Sequence, residues 1–477
     1  MTSHRILVAL MAVSTSVLLA ACGDSGGGGS GTAAQGSTSW VRHWNHIAID
    51  ASGLDHTPVA PGENRVFGEQ VGPGRASRAM AIVHVAIFDA LIAVKGGYES
   101  YTGLPRETTA TSLKAAIAQA AHDTLAALYP SQAASFATEL DKDLAKIADG
   151  RPKTRGIDLG KRAAAAILAL RANDGSAHAE PRYGVDYVPS GAVGEWSQDP
   201  ISRHPLALGA RWAEVEPFVL TSASQFRIPP PPALDSAEYA AAFQEVQSLG
   251  GDDVTTPTVR TADETRAGVY WAYDGTPSLC APPRLYNQIA LQIALDQGAD
   301  IVELARVLAL VNVAMADAGI AAWESKYYYK LWRPVSGIRA ADLDGNPDTV
   351  ADLTYSPLGA PASNLTGPSF TPPFPAYPSG HAAFGGALFQ VLRRIYGDDV
   401  PFTFVSDEFN GTTLDNTGVL RPLIPRSFNT LSEAEEENGQ SRIYLGIHWS
   451  FDKTEGIAQG HDVGNFVVDH VFRPKRR

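Results

Sequence analysis

The chain has 477 residues, enough for two or three domains around a sizeable core, with 44% hydrophobic and 19% charged residues. Its formal charge of −13 argues against nucleic acid as a partner, because a phosphate backbone needs a net positive face. Any anionic ligand must be held by a local basic cluster working against the global field.

His4 and Arg5 precede an apolar stretch from Ile6 to Ala21, the layout of a signal peptide over residues 1–21. Leu19-Ala20-Ala21-Cys22 is similar to a bacterial lipobox. That implies cleavage before Cys22, lipidation of its thiol, and a periplasmic or extracellular place in a bacterial envelope. The lipid would be the only membrane contact. The Gly/Ser-rich residues 22–39 read as a tether. With Cys22 lipidated, Cys280 has no partner for an intrachain disulfide and is expected as a small buried apolar residue.

The body predicts an all-α protein of two related helical bundles, an N-terminal helical region (40–255) and a C-terminal catalytic bundle (256–477). "HWNHIAID" (His43 to Asp50) has two histidines but no third matching metal ligand. Helical spacing of apolar residues runs from Arg75 to a Gly-Gly stop at Gly97, and His84 on that helix is expected as a satisfied core histidine. A helix capped by Thr111 closes at Pro130, and two more follow, each ended by Gly. A Pro-rich, irregular region runs from Tyr183 to Pro232, and helical periodicity returns at Ala233. The longest run spans Asp300 to Trp332. "VHVAIFDALIA" (Val83 to Ala93) and "VNVAMADAGIA" (Val311 to Ala321) agree at seven of eleven positions, which suggests a duplication. "ADLDGNPDTV" (Ala341 to Val350) reads as a turn, since its acids lack calcium-loop spacing. Pro401 to Leu414 offers a hairpin with Asn-Gly at its turn.

Three segments carry the chemistry. In "WESKYYYKLWRP", Lys326 and Arg333 are seven apart, two helical turns on one face shared with Trp323 and Lys330, and Pro334 places Arg333 at the helix end. By itself this is also what a solvated cationic helix end looks like. In "PPFPAYPSGHAAFGGA", prolines stiffen the approach to Ser379-Gly380-His381 and a small-residue helix. Alone, Ser379 is an ordinary N-cap. In "SRIYLGIHWSFD", Asp452 lies four beyond His448, placed to take a proton from one ring nitrogen and fix the tautomer. Together the segments supply three cations, a hydroxyl, a glycine N–H and two histidines. That is the inventory for a tetrahedral oxyanion.

The segments resemble the signature of the vanadium haloperoxidase and type 2 phosphatidic acid phosphatase superfamily: K-x6-RP, then PSGH, then SR-x5-H-x3-D. All three elements occur in order and at full spacing within the last third of the chain, and a looser likeness reaches back to about Tyr270. The flanking residues look more like the vanadium chloroperoxidase branch than the small membrane phosphatases. The N-terminal half is only weakly similar.

The resemblance implies vanadate as cofactor, with His448 bonded to the metal. Lys326, Arg333, Ser379, Gly380 and Arg442 would bind its oxygens, and His381 would be the acid–base group. It also implies that Lys326 takes part in catalysis, that Asp452 orients His448, and that Asp274 supports Arg442 from behind. Trp323 and Phe374 would form the halide pocket. The implied reaction oxidises halide, chloride or bromide, with hydrogen peroxide to hypohalous acid, with a small organic acceptor as a further partner. Two alternatives stay open on the residues. One is a phosphatase with a phosphohistidine intermediate at His448. The other is a non-catalytic envelope lipoprotein with a vestigial site.

Overall fold

The computed structural model describes residues 31–475, with side chains from residue 38 onward. The expected signal peptide, Cys22 and its lipid lie outside the described residues. Helix α1 (Gly31–Asp55) starts inside the stretch read as a tether. The N-terminal bundle is α2 (Pro73–Lys95), α3 (Leu113–Leu128), α4 (Ala133–Ala145) and α5 (Arg151–Leu170). Then come α6 (Ala237–Leu249), α7 (Ala262–Tyr270), α8 (Pro282–Asp296), α9 (Ile301–Tyr329) and α10 (Pro334–Arg339). The chain ends with α11 (Gly380–Tyr396), α12 (Leu431–Tyr444) and α13 (Ser450–His470).

Local chemistry sets the helix ends. Pro73 opens α2 where its missing N–H costs nothing, and Gly96 closes it. Asp300 caps α9 by accepting from Val302 and Glu303 N–H. The α3 cap is Ser112 rather than the expected Thr111.

Helices α2 and α9 are apolar on nearly every side and pack against each other in the main core. They are long and apolar enough to cross a membrane, yet both are buried within the protein. The duplication read from the sequence has a structural counterpart. Asp89 and Asp317 hold the same place in the repeated stretch. Asp89 accepts from Tyr101 N (2.9 Å) and Thr102 N (2.8 Å). Asp317 accepts from Phe218 N (2.6 Å), Val219 N (2.8 Å) and Leu220 N (3.0 Å). Each carboxylate pins a loop to the middle of its helix. The second layers also match: α5 approaches α3 through Gly156 and Gly160, and α13 approaches α11 through Gly456 and Gly460. A Cβ on Gly460 would sit 2.5 Å from the Ala383 carbonyl oxygen, so only glycine permits that approach.

Several expectations are corrected. α6, placed by sequence in the N-terminal region, packs on α10, α12 and α13 around Trp449. The hairpin pairs β1 (Phe402–Asn410) with β2 (Leu423–Phe428), antiparallel, with Phe402 opposite Phe428. The returning strand therefore lies beyond Leu414, and Asn410-Gly411 begins a longer connection. His84 is only half satisfied. Its Nε2 meets Asn287 Nδ2 at 3.3 Å, its Nδ1 has no partner among the described residues, and burial pulls it down to about 3. Cys280 is buried and free, but its Sγ lies 2.9 Å from Ser52 Oγ, so it is not purely apolar. His43 faces Asp143 and Glu139 of α4, and the described residues hold no group of three or more potential metal ligands of the His/Cys/Asp/Glu type.

Candidate active site

The three segments converge at the core of the C-terminal bundle. α9 does not continue through Arg333. It ends at Tyr329, and Lys330 turns the chain in the left-handed region (φ 52°), which leaves Lys330 exposed. Arg333 is the extended residue preceding α10, as Pro334 requires. Lys326 and Arg333 thus reach one site from two elements rather than from one helical stripe.

Lys326 is fully buried at the end of α9. Its Nζ donates to the carbonyls of Pro375 (2.9 Å), Ala376 (2.9 Å) and Pro378. All three donors are used, so the expected direct contact of Lys326 with an oxyanion is not available in this arrangement. Its hydrogens point at the loop carbonyls, and Lys326 does not line the cavity beside it. The proline-stiffened loop aims those carbonyls at one point.

Arg333 donates through Nε to Phe374 O (2.8 Å) and through Nη1 to Ile447 O (2.8 Å). Its Nη1 also lies 2.9 Å from His448 Nε2. Arg442, in the last turn of α12, donates from Nη2 to both oxygens of buried Asp274, at 2.8 and 2.9 Å. That is the supporting contact expected of Asp274. Three buried guanidinium nitrogens are left over: Arg333 Nη2, Arg442 Nε and Arg442 Nη1 have no partner among the described residues. Burial, followed by the opposed effects of Asp452 and Arg442, leaves Arg333 lowered to about 9. Burial and then Arg333 hold Lys326 well below the ordinary lysine range. Such a cluster is costly without an anion, and the orphaned N–H groups point to one. The donor set fits a tetrahedral oxyanion.

His448 sits in the loop between α12 and α13, and Asp452 in the first turn of α13. Asp452 Oδ2 accepts from Trp449 N (3.0 Å) and lies 2.7 Å from His448 Nδ1. An oxygen already accepting from a backbone amide favours the tautomer with hydrogen on Nδ1, leaving the Nε2 lone pair to accept from Arg333 Nη1 (2.9 Å), a contact that a ligand on Nε2 would replace. Burial, then Arg333, keeps His448 well below 6.5, so the ring stays neutral. Burial pushes the Asp452 carboxyl up to about 7, and its Oδ1 has no partner among the described residues.

Ser379 is the N-cap of α11 and its Oγ accepts from Ala382 N (3.4 Å). Its own N–H donates to Asp452 O (2.9 Å), which ties the two segments together. His381 Nε2 lies 2.6 Å from Ala272 O, so Nε2 carries the hydrogen. Burial, then Arg442, holds His381 well below its ordinary value. Sequence reasoning missed this Ala272 contact, because a backbone carbonyl leaves no residue signature. The Trp323 and Phe374 rings lie 4.9 Å apart, with Lys326 Nζ 5.6 Å from the first and 5.1 Å from the second. Gly380 completes that wall; a Cβ there would come within 3.1 Å of the indole. A cavity of about 490 Å³ opens here. His381, His448, Arg442, Trp323 and Phe374 are among its lining residues, and Phe67, Ile201, Leu206 and Phe370 are among its apolar walls.

Residues 306–476 match the family model of the VCPO second helical-bundle domain, and residues 32–165 that of the vanadium chloroperoxidase N-terminal domain. The vanadium chloroperoxidase of Curvularia inaequalis is 31% identical over 494 residues, spanning 87% of this chain and 79% of that protein. The chain belongs to the vanadium chloroperoxidase family. A solved bacterial vanadium-dependent iodoperoxidase superposes with a TM-score of 0.70 at 26% identity, covering 91% of this chain and 98% of that one. The holo-type bacterial vanadium-dependent chloroperoxidase shares the fold, with a TM-score of 0.62 at 19% identity over 87% and 95% of the two chains. The family's N-terminal domain is thus present, although little of it was visible in the sequence motifs.

Proposed function

We propose that the protein is a vanadate-dependent haloperoxidase that oxidises halide with hydrogen peroxide to hypohalous acid. The observation that carries this is the set of unpartnered guanidinium donors of Arg333 and Arg442 around His448, whose Nε2 accepts from Arg333 Nη1 here, beside the Trp323–Phe374 pair. Vanadate, when bound, supplies a Lewis acid that activates peroxide without a change of metal oxidation state. His448 Nε2 would be its protein ligand, held in the right tautomer by Asp452. Arg333 and Arg442 would take its oxygens, with Asp274 fixing the Arg442 fork. The α11 N-terminus at Ser379 and Gly380 would add donors and a favourable dipole. Lys326 would contribute charge from its carbonyl cage. His381 would move the proton: with Nε2 donating to Ala272 O, its Nδ1 is the basic atom, and burial keeps it unprotonated until peroxide delivers a proton. The aromatic pair, with cations at its edge, would receive chloride or bromide. The lipobox-like Leu19–Cys22 supports a lipid-anchored place in the bacterial envelope. The family match and the aromatic pocket leave the phosphatase and vestigial readings without a specific observation in their favour.

The direct test is calorimetric titration of orthovanadate into metal-free protein. Saturation at one vanadate per chain, lost in His448→Ala, is expected. Binding that survives His448→Ala with unchanged affinity would place the anion elsewhere.

A further inference from the structure

The Trp323 wall is held from outside its own bundle. We propose that Glu180 is a positioning residue that sets halide discrimination through the Leu208–Gly209 turn. The inference rests on reading the Trp323–Phe374 pocket as the halide site. Glu180 lies in the irregular segment after α5, and its side chain is 9% exposed. It does not line the active-site cavity. Its Oε2 accepts from Gly209 N (2.6 Å), and its Oε1 accepts from Arg75 in the first turn of α2. Trp212 N donates to Gly209 O (2.8 Å), and the Arg75 guanidinium lies 5.4 Å from the Trp212 ring. Both sides of Gly209 are therefore tied to the N-terminal bundle.

That turn touches Trp323 and the residue before Phe374. Leu208 O accepts from Trp323 Nε1 (3.1 Å) and from Tyr327 OH (3.0 Å). Leu208 N donates to Pro373 O (2.9 Å), the residue before Phe374. Gly209 has φ +75°, and a Cβ there would lie 2.2 Å from Trp323 Cδ1 and Nε1. The indole thus rests on bare backbone, and its only polar atom is bonded to that same turn. A carboxylate on the turn's amide fixes the turn. The turn fixes the ring, and the ring sets the width of the pocket. Bromide and iodide differ in ease of oxidation as well as in radius; the first difference is common to wild type and variants, and discrimination by radius depends on that width.

The test uses the vanadate-loaded protein and its variants, with bromide and iodide as probes. In Glu180→Ala, KM for bromide is expected to rise about tenfold, as for loss of a hydrogen bond to a charged group. kcat should change by less than about twofold. The ratio of kcat/KM for iodide over bromide should move about fivefold toward the larger ion. Glu180→Gln, which keeps an acceptor for Gly209 but not the charge on Arg75, should fall between. Gly209→Ala leaves Glu180 intact but pushes the indole directly, so it should shift the same ratio more. Orthovanadate affinity and the near-ultraviolet circular dichroism of the fold should persist in Glu180→Gln. An unchanged halide ratio in Glu180→Gln and Gly209→Ala, with wild type active, overturns the inference alone. A wild-type protein that oxidises neither halide overturns the halide-site reading and the inference with it.

Discussion

Asp452→Asn separates a ligand-tuning role from a structural one. The substitution is nearly isosteric. In the empty protein the carboxyl sits at about 7 because burial outweighs the Trp449 amide and the nearby Lys326 and Arg333. At pH 6 it is therefore largely neutral, and asparagine reproduces both its shape and its charge. The metal-free variant is expected to lose less than about 1 kcal/mol of stability at that pH. Ligand binding is different. His448 is a good donor through Nε2 only while Nδ1–H is held by an acceptor, at 2.7 Å here. An amide carries an NH₂ that, turned toward Nδ1, forces the other tautomer, and it cannot ionise to strengthen the contact when the ligand binds. Loss of such a supporting partner costs about 10- to 100-fold in metal affinity, or about 1.4–2.7 kcal/mol. Orthovanadate titration at pH 6, paired with denaturant unfolding of both metal-free proteins, measures the two effects. A large stability loss with affinity within about threefold of wild type would refute the reasoning and make Asp452 a cap of α13.

Three further outcomes follow from particular contacts. Trp323→Ala and Phe374→Ala should abolish halide oxidation while leaving orthovanadate affinity within about threefold, since the Trp323 N–H is spent on Leu208 O and the Phe374 ring has no donor for an oxyanion; steady-state halogenation kinetics and calorimetry check this. Glu408 is buried, accepts from Ser363 Oγ (2.6 Å) and pairs with Arg421, and burial raises it from 4.5 to about 7. The folded state binds this proton more tightly than the unfolded one, so the contribution is fully present below about pH 4.5 and is lost as pH rises through 7. The stability of Glu408→Gln relative to wild type should improve by up to about 3 kcal/mol across that window, read from denaturant midpoints at each pH. Gly460→Ala should cost about 2–3 kcal/mol or prevent folding, because the new methyl meets the α11 backbone.

What was legible in the sequence was local chemistry. Ser379 as an N-cap and Asp452 four residues from His448 each depend on neighbours in the chain, and each stands as read; Pro334 keeps Arg333 extended, but α9 has already ended at Tyr329. The Asp89–Asp317 echo was legible as a repeat, although its purpose, pinning a loop to each helix, was not. What failed depended on distant partners. Equal spacing suggested that Lys326 and Arg333 share a helical face, but the left-handed turn at Lys330 sends them to the site by different routes. The three carbonyls around Lys326 come from residues some fifty positions away, and carbonyls carry no sequence identity. The hairpin was placed at the nearest Asn-Gly turn signal, whereas its second strand lies past a longer connection. His84 and Cys280 looked like core filler because apolar spacing predicts burial and says nothing about polar partners.

The central claim is tested most directly by adding orthovanadate to the metal-free protein and following peroxide-dependent halogenation of a dione dye with bromide and with chloride. The same preparation is assayed on an aryl phosphate. Halogenation that rises with vanadate to one per chain and vanishes in His448→Ala is the predicted result. Phosphate release inhibited by vanadate, with no halogenation, would contradict it and make Trp323 and Phe374 packing residues of a phosphatase.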